Sequence, residues 1–277
     1  FKQKTAYEML RSLVGSEMCI RDRPMTAGLP SYYSALKPFR ACFRAGLPIL
    51  TYHSLGPRPR GARLKGLYLP TALFRRQLVE LRAAGFASAP LPRGRLEVPA
   101  TPQVVLTFDD GCRNVFELGL PVLAETGFRA VQYLVADLLG RASEWQAREG
   151  GVAEPLMDAA QVREWLAAGH GIGSHTCTHP WLTRLPVARA REEITASRQK
   201  LEDLFGVPVP DFCYPYGDFD ARIRDLVAEA GYQTAVTTRA GVNLPGADLL
   251  TLRRFTARYP SRRLKDLWQR WRAARAG

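Results

Sequence analysis

Short apolar runs alternate along the chain with longer segments of helical period. "LPILTYHS" (47–54) reads as a strand ending in Tyr52 and His53. Thr71 then stands as the cap of a helix whose apolar face is Phe74, Leu78 and Leu81, closing near Gly85. A strand is predicted over 103–108, a helix around 114–126 and a strand over 129–135, followed by an irregular insertion at 138–156. Asp158 caps a helix that turns Val162, Trp165 and Leu166 inward. "HGIGSH" (170–175) is a strand, and 186–205 has the pattern of a charged amphipathic helix. Strands follow at 211–215, 233–237 and 250–256, with a helix over 219–230 and a basic helix over 261–275. Seven strands interleaved with helices predict an α/β fold with parallel strands and right-handed crossovers, closed into a barrel or left open.

Composition narrows this only slightly. The 277 residues are 46% hydrophobic, enough for the core of one large domain, and no apolar run approaches the ~18 residues of a membrane span. Residues 1–24 lack an initiating Met and carry no pattern that continues, so they read as a non-native leader ahead of Met25. Most of the +13 net charge lies beyond them. The sequence organises as that leader, an N-terminal extension (25–46), the barrel (47–259) and a basic C-terminal helix (260–277). No secretory pattern follows Met25, so the expected location is cytoplasmic or peripheral to a membrane. Peripheral contact would come through Trp268, Trp271 and the surrounding arginines of the last helix. Cys42, Cys112, Cys177 and Cys213 have no disulfide-framework spacing and point to a reducing compartment. There is no nucleic-acid module, and charge alone does not make one.

The candidate chemistry sits at strand ends. His53 ends the first strand, Asp109 and Asp110 the second, His175 and His179 follow a third, and Tyr214-Pro215-Tyr216-Gly217 a fourth. In a β/α barrel the C-terminal ends of the strands open on one mouth, so these residues converge. Two adjacent carboxylates repel and lose solvation, which a neighbouring cation offsets. Two histidines four apart and one carboxylate form a ligand set typical of catalytic zinc, and the other carboxylate is then free to take a proton as general base. His170, at a helix C-terminus, reads instead as structural, a cation there suiting the helix dipole.

"TFDDG", "HTCTH" and "YPYG", in this order, resemble the first three motifs of the polysaccharide deacetylases (the NodB-homology domain, carbohydrate esterase family four). "ILTYHS", "LYLPTALFRRQLVELRAAGF" and "AGYQTAVTT" resemble the branch holding the poly-β-1,6-N-acetylglucosamine deacetylases, and the likeness runs from Leu47 to Phe255. It implies a single-domain distorted (β/α)7 barrel that hydrolyses N-acetyl groups of amino sugars in a glycan. Asp109 matches the general base. Asp110, His175 and His179 match the ligands of one divalent metal, zinc by default, with cobalt, nickel or manganese as substitutes. Tyr214, Pro215 and Tyr216 match the substrate-groove segment, the Tyr216 N–H being a candidate oxyanion donor. Three departures accompany the likeness. Cys213 stands where many members have an arginine that orients the base, there is no Asp-Trp fourth motif, and no Leu-x-His motif supplies a general acid. His53 is read as the substitute acid or a substrate contact, and Arg253 as the group orienting Asp109. The alternatives are a deformylase or deacetylase of a lipid-linked amino sugar, suited by the basic face, and a catalytically inactive binder of acidic polymer.

Overall fold

Residues 29–97 and 99–259 are described by the computed structural model. The leader 1–24 and the basic helix 260–277, with its membrane contact, lie outside the described residues. In chain order the elements are α1 (Arg40–Arg44), β1 (Ile49–Tyr52), β2 (Ser54–Leu55), β3 (Tyr68–Leu69), α2 (Thr71–Ala83), β4 (Ala87–Ser88), β5 (Gln103–Phe108) and α3 (Arg113–Thr126). Then come β6 (Val131–Leu134), α4 (Glu144–Arg148), α5 (Ala159–Ala167), β7 (Gly171–Ser174), α6 (Val187–Phe205), β8 (Asp211–Cys213), α7 (Ala221–Glu229), β9 (Thr234–Val236) and β10 (Phe255–Thr256).

The main sheet is parallel, in the order β10-β1-β5-β6-β7-β8-β9, with β4 added beside β5. The predicted strand 250–256 closes the ring in two pieces. Leu252 bridges to Val236 of β9, and Phe255 and Thr256 pair with Leu50 and Thr51 of β1. Residues 249–251 between β9 and this bridge form a 3-10 turn instead of strand. The result is a seven-stranded barrel, distorted where the last strand joins. Its strands are buried on both faces, as parallel strands covered by helices must be, so they read as continuous apolar runs. β2, β3 and β4 are two residues each, too short to leave a periodic signal, and escape the sequence pattern.

Local choices explain several boundaries. Asp158 caps α5 as expected, in a reciprocal box: it accepts from the Gln161 N–H at 2.9 Å while the Gln161 side chain accepts from the Asp158 N–H at 3.1 Å. Thr71 is not a cap. Pro70 occupies that position with no side-chain bond, and Thr71 is the first helical residue. Residues 33–43 join the core rather than trailing from it, through Tyr33, Phe39 and Phe43 packed with Phe255. The barrel floor is closed by the segment carrying Leu91 and Leu96, pinned by a bidentate pair from Arg93 to the buried Asp211 at 2.7 and 2.9 Å.

His170 is structural but neutral, against the expectation of a dipole-bound cation. It lies tilted against Trp165 with ring centroids 4.3 Å apart, and its Nδ1 accepts the Ala130 N–H at 3.2 Å, so that nitrogen carries no proton. Burial, aided by the Arg129 charge, pushes its pKa down from 6.5 to about 4. The unfolded chain therefore binds this proton first, and stability falls as pH drops between those two values. A His170→Asn variant, which keeps an acceptor but cannot titrate, is expected to lose less Tm than the wild type between pH 7 and pH 4.5. Equal losses in thermal melts would contradict this.

Candidate active site

Because the strands are parallel, the residues after β1, β5, β7 and β8 meet at one mouth. The chain leaves β5 sharply: Asp110 (φ 73°) and Gly111 (φ 76°) are both left-handed. A non-glycine residue in that region costs free energy, and this one turns consecutive carboxylates to different tasks.

Asp110 faces the two histidines. Its Oδ1 lies 3.6 Å from Nε2 of His175 and 3.5 Å from Nε2 of His179, and Gln146 of α4 donates toward its Oδ2 at 3.4 Å. Nδ1 of His175 lies 2.7 Å from the Cys213 carbonyl. A carbonyl can only accept, so that nitrogen carries the hydrogen; against its burial, Cys213 and Asp110 raise the His175 pKa, so a metal would take the place of a proton on Nε2. His179 is fixed by its N–H to the Thr176 hydroxyl at 3.0 Å, by Trp145 stacked on its ring at 4.4 Å and by Tyr216 edge-on at 4.5 Å. Burial and the neighbouring His175 push the His179 pKa down to about 3, leaving a neutral imidazole, the form a metal requires. Ligand bonds of about 2.0–2.2 Å in a tetrahedron place donor atoms roughly 3.3–3.6 Å apart, so the spacing fits one divalent ion held by Asp110, His175 and His179.

Asp109 is held apart from that set. Arg254 donates to both of its oxygens, at 2.7 and 2.8 Å, and the Thr51 hydroxyl lies 3.3 Å from Oδ2. The guanidinium is 2% exposed and spends its remaining donors on the Thr237 carbonyl, the Thr107 hydroxyl and the Cys213 sulfur. Burial alone would raise the Asp109 pKa. The Arg254 charge, then His53 and the guanidinium hydrogen bonds, outweigh burial and hold the carboxyl well below the usual range. A carboxylate has about four acceptor sites, so the bidentate pair still leaves Asp109 room to take a proton.

Arg253 does not orient Asp109. It is exposed, its guanidinium faces the Ala240 carbonyl at 3.3 Å, and the neighbouring Arg254 makes the contact instead. Adjacent residues of an extended segment point to opposite faces, so a one-residue error in parity exchanges the two arginines. Cys213, whose side chain meets the Arg254 guanidinium at 3.3 Å, leaves room for it. The arginine missing beside "YPYG" is thus supplied from the other end of the chain.

His53 lines the same mouth, its Nε2 3.7 Å from Asp109 Oδ2, too far for a hydrogen bond. Tyr216, left-handed at φ 60°, lies flat against Trp181 at 4.1 Å, which is backed by the Arg184 guanidinium. Pro215 is buried beside it, and the Tyr214 hydroxyl donates to the Leu250 carbonyl, which makes Tyr214 a wall and not a hydrogen-bonding contact. The mouth holds a cavity of about 160 Å³. Through Leu64, Leu67, Gln146 and Glu149 it shares walls with a second cavity of about 340 Å³, lined also by Tyr68, Val152 and Trp181. Trp145 and Gln146 were invisible in the sequence because the insertion carrying them has no apolar period. Among the described residues no helix is long and apolar enough to cross a membrane, and Cys42, Cys112, Cys177 and Cys213 are free thiols.

The polysaccharide deacetylase family matches residues 97–235, a stretch that holds Asp109, Asp110, His175, His179 and Tyr216 but neither His53 nor Arg254. YxkH of Bacillus subtilis is 25% identical over 202 residues, covering 71% of this chain and 66% of that protein. Chitin deacetylase 1 of Cryptococcus neoformans is 35% identical over 133 residues, 48% of this chain and 25% of the fungal one. The chain therefore spans just under two thirds of YxkH and a quarter of the chitin deacetylase. Among solved structures, IcaB from Ammonifex degensii superposes with a TM-score of 0.68 at 25% identity, over 81% of this chain and 97% of that one.

Proposed function

We propose that this chain, which belongs to the polysaccharide deacetylase family, is a metal-dependent hydrolase that removes N-acetyl groups from the amino sugars of a glycan. One observation carries the reading. Asp110, His175 and His179 converge at the spacing of one ion's ligands, while both oxygens of the adjacent Asp109 are tied to a buried arginine. Asp110, His175 and His179 would hold the ion, zinc by the nature of these donors, and it would supply Lewis acidity toward the amide carbonyl and the attacking water. Asp109 accepts the proton of that water. Arg254 keeps it ionised and aimed, at the cost of a weakened proton affinity, so the proton is readily passed on. His53, beside Asp109 at the mouth, protonates the leaving amine. The Tyr216 backbone N–H serves as the oxyanion donor. Water adds to the carbonyl carbon, the C–N bond breaks, and acetate and a free amine leave.

The adjoining cavity favours a glycan over a single sugar. A neighbouring sugar would pack against the edge of Trp181, which lines that cavity and whose ring is fixed between Tyr216 and Arg184. Trp181→Ala is expected to raise KM for N-acetylglucosamine oligomers about 3- to 10-fold with kcat little changed, and to leave the monosaccharide nearly unaffected. Equal losses on both substrates would place the substrate elsewhere. The function itself is tested by acetate release from such oligomers. Release should stop on chelation and return with added zinc, whereas a full rate in excess chelator would sink the reading.

A further inference from the structure

One buried carboxylate beside the site has no part in the chemistry proposed above. Glu193 lies on the inner face of α6, 5% exposed, between the buried Ala190 and Ile194. Both of its oxygens reach the turn between the two histidines. Oε2 accepts the N–H groups of Cys177 at 2.9 Å and Thr178 at 3.0 Å, and Oε1 accepts the Thr178 hydroxyl at 2.8 Å. Among the described residues no basic side chain pairs with it, so these donors meet its charge.

The turn needs such a hold. Thr176 (φ 69°) and His179 (φ 62°) are both left-handed, a conformation that persists only where the surroundings over-determine it. On its other side the carbonyls of Thr176 and Cys177 accept the N–H groups of Ala136 and Asp137, each at 3.0 Å. The turn is thus gripped through its carbonyls by 136–137 and through its N–H groups by Glu193. A carboxylate suits the second grip because all three partners are donors. A glutamine could keep both N–H groups on its oxygen and donate its NH2 to the Thr178 hydroxyl, losing only the charge that strengthens these bonds.

We propose that Glu193 is a positioning residue of the metal site, holding the 175–179 turn so that the Nε2 atoms of His175 and His179 meet Asp110. This rests on the reading of those three residues as metal ligands. The test is zinc affinity of the full chain, measured by competition with a chromophoric chelator, together with Tm. Residues that orient ligands typically change metal affinity about 10- to 100-fold, so E193A is expected in that range and E193Q near its lower end. Ile194→Ala, one position along the same helix, should lower Tm yet leave zinc affinity within about twofold. If E193A does not fold, E193Q carries the comparison. Wild-type affinity in the Glu193 variants, or an equal zinc loss in Ile194→Ala, would overturn the positioning role alone. Failure of the folded wild type to bind zinc would overturn the ligand reading with it.

Discussion

Replacing Asp109 by asparagine is expected to lower kcat by about 10²- to 10⁴-fold, the usual contribution of a general base, with zinc binding retained. The amide preserves the shape that Arg254 and Thr51 surround but cannot take a proton from the attacking water. The ligand set, Asp110 with His175 and His179, is untouched. The loss should therefore fall on kcat and kcat/KM alike, with KM nearly constant, the pattern of an interaction made only in the transition state. Steady-state acetate release beside a zinc titration checks this. Loss of zinc together with activity would make Asp109 a ligand and the division between the two aspartates wrong.

Replacing Arg254 by methionine should have the largest effect on stability. It leaves a buried carboxylate without its counter-charge, which costs about 3–5 kcal/mol, or roughly 5–15 °C in Tm. The pH dependence carries the sign. In the wild type the depressed Asp109 pKa makes the ion pair's contribution complete above the ordinary carboxylate range, and it is lost only as pH falls below that. In the variant the main opposition to burial is gone and the Asp109 pKa rises, so the folded state holds the protonated acid more readily and is penalised as pH rises. The Tm deficit of R254M is expected to be larger at pH 7.5 than at pH 4. A deficit equal at both values, or none at all, would show that the guanidinium does not set the charge of Asp109. R254K, which keeps the charge but loses the planar fork, should fall between.

The strands that carry the site were legible because parallel, doubly buried strands leave continuous apolar runs, and a strand end followed by Asp-Asp-Gly or by His-x-x-x-His is conspicuous. Asp109, Asp110, His175 and His179 follow from that pattern, and the structure gathers all four at one mouth. The residues around them were harder to read, for separate physical reasons. Arg254 and Arg253 differ only by strand parity, which a closing strand broken at 249–254 obscures. Trp145 and Gln146 act from a five-residue helix inside an irregular insertion, too short for a period. Glu193 sits in a helix full of exposed charge, where a buried carboxylate looks like its neighbours, and only its partners on the 175–179 turn distinguish it.

The most direct test of the account is the zinc stoichiometry of the full chain, set beside acetate release from N-acetylglucosamine oligomers, in the wild type, D109N and D110N. The account predicts one zinc per chain in the wild type and in D109N, a much weakened site in D110N, and acetate from the zinc-loaded wild type alone. Zinc lost from D109N but kept by D110N, or acetate released at the wild-type rate by either variant, would contradict it.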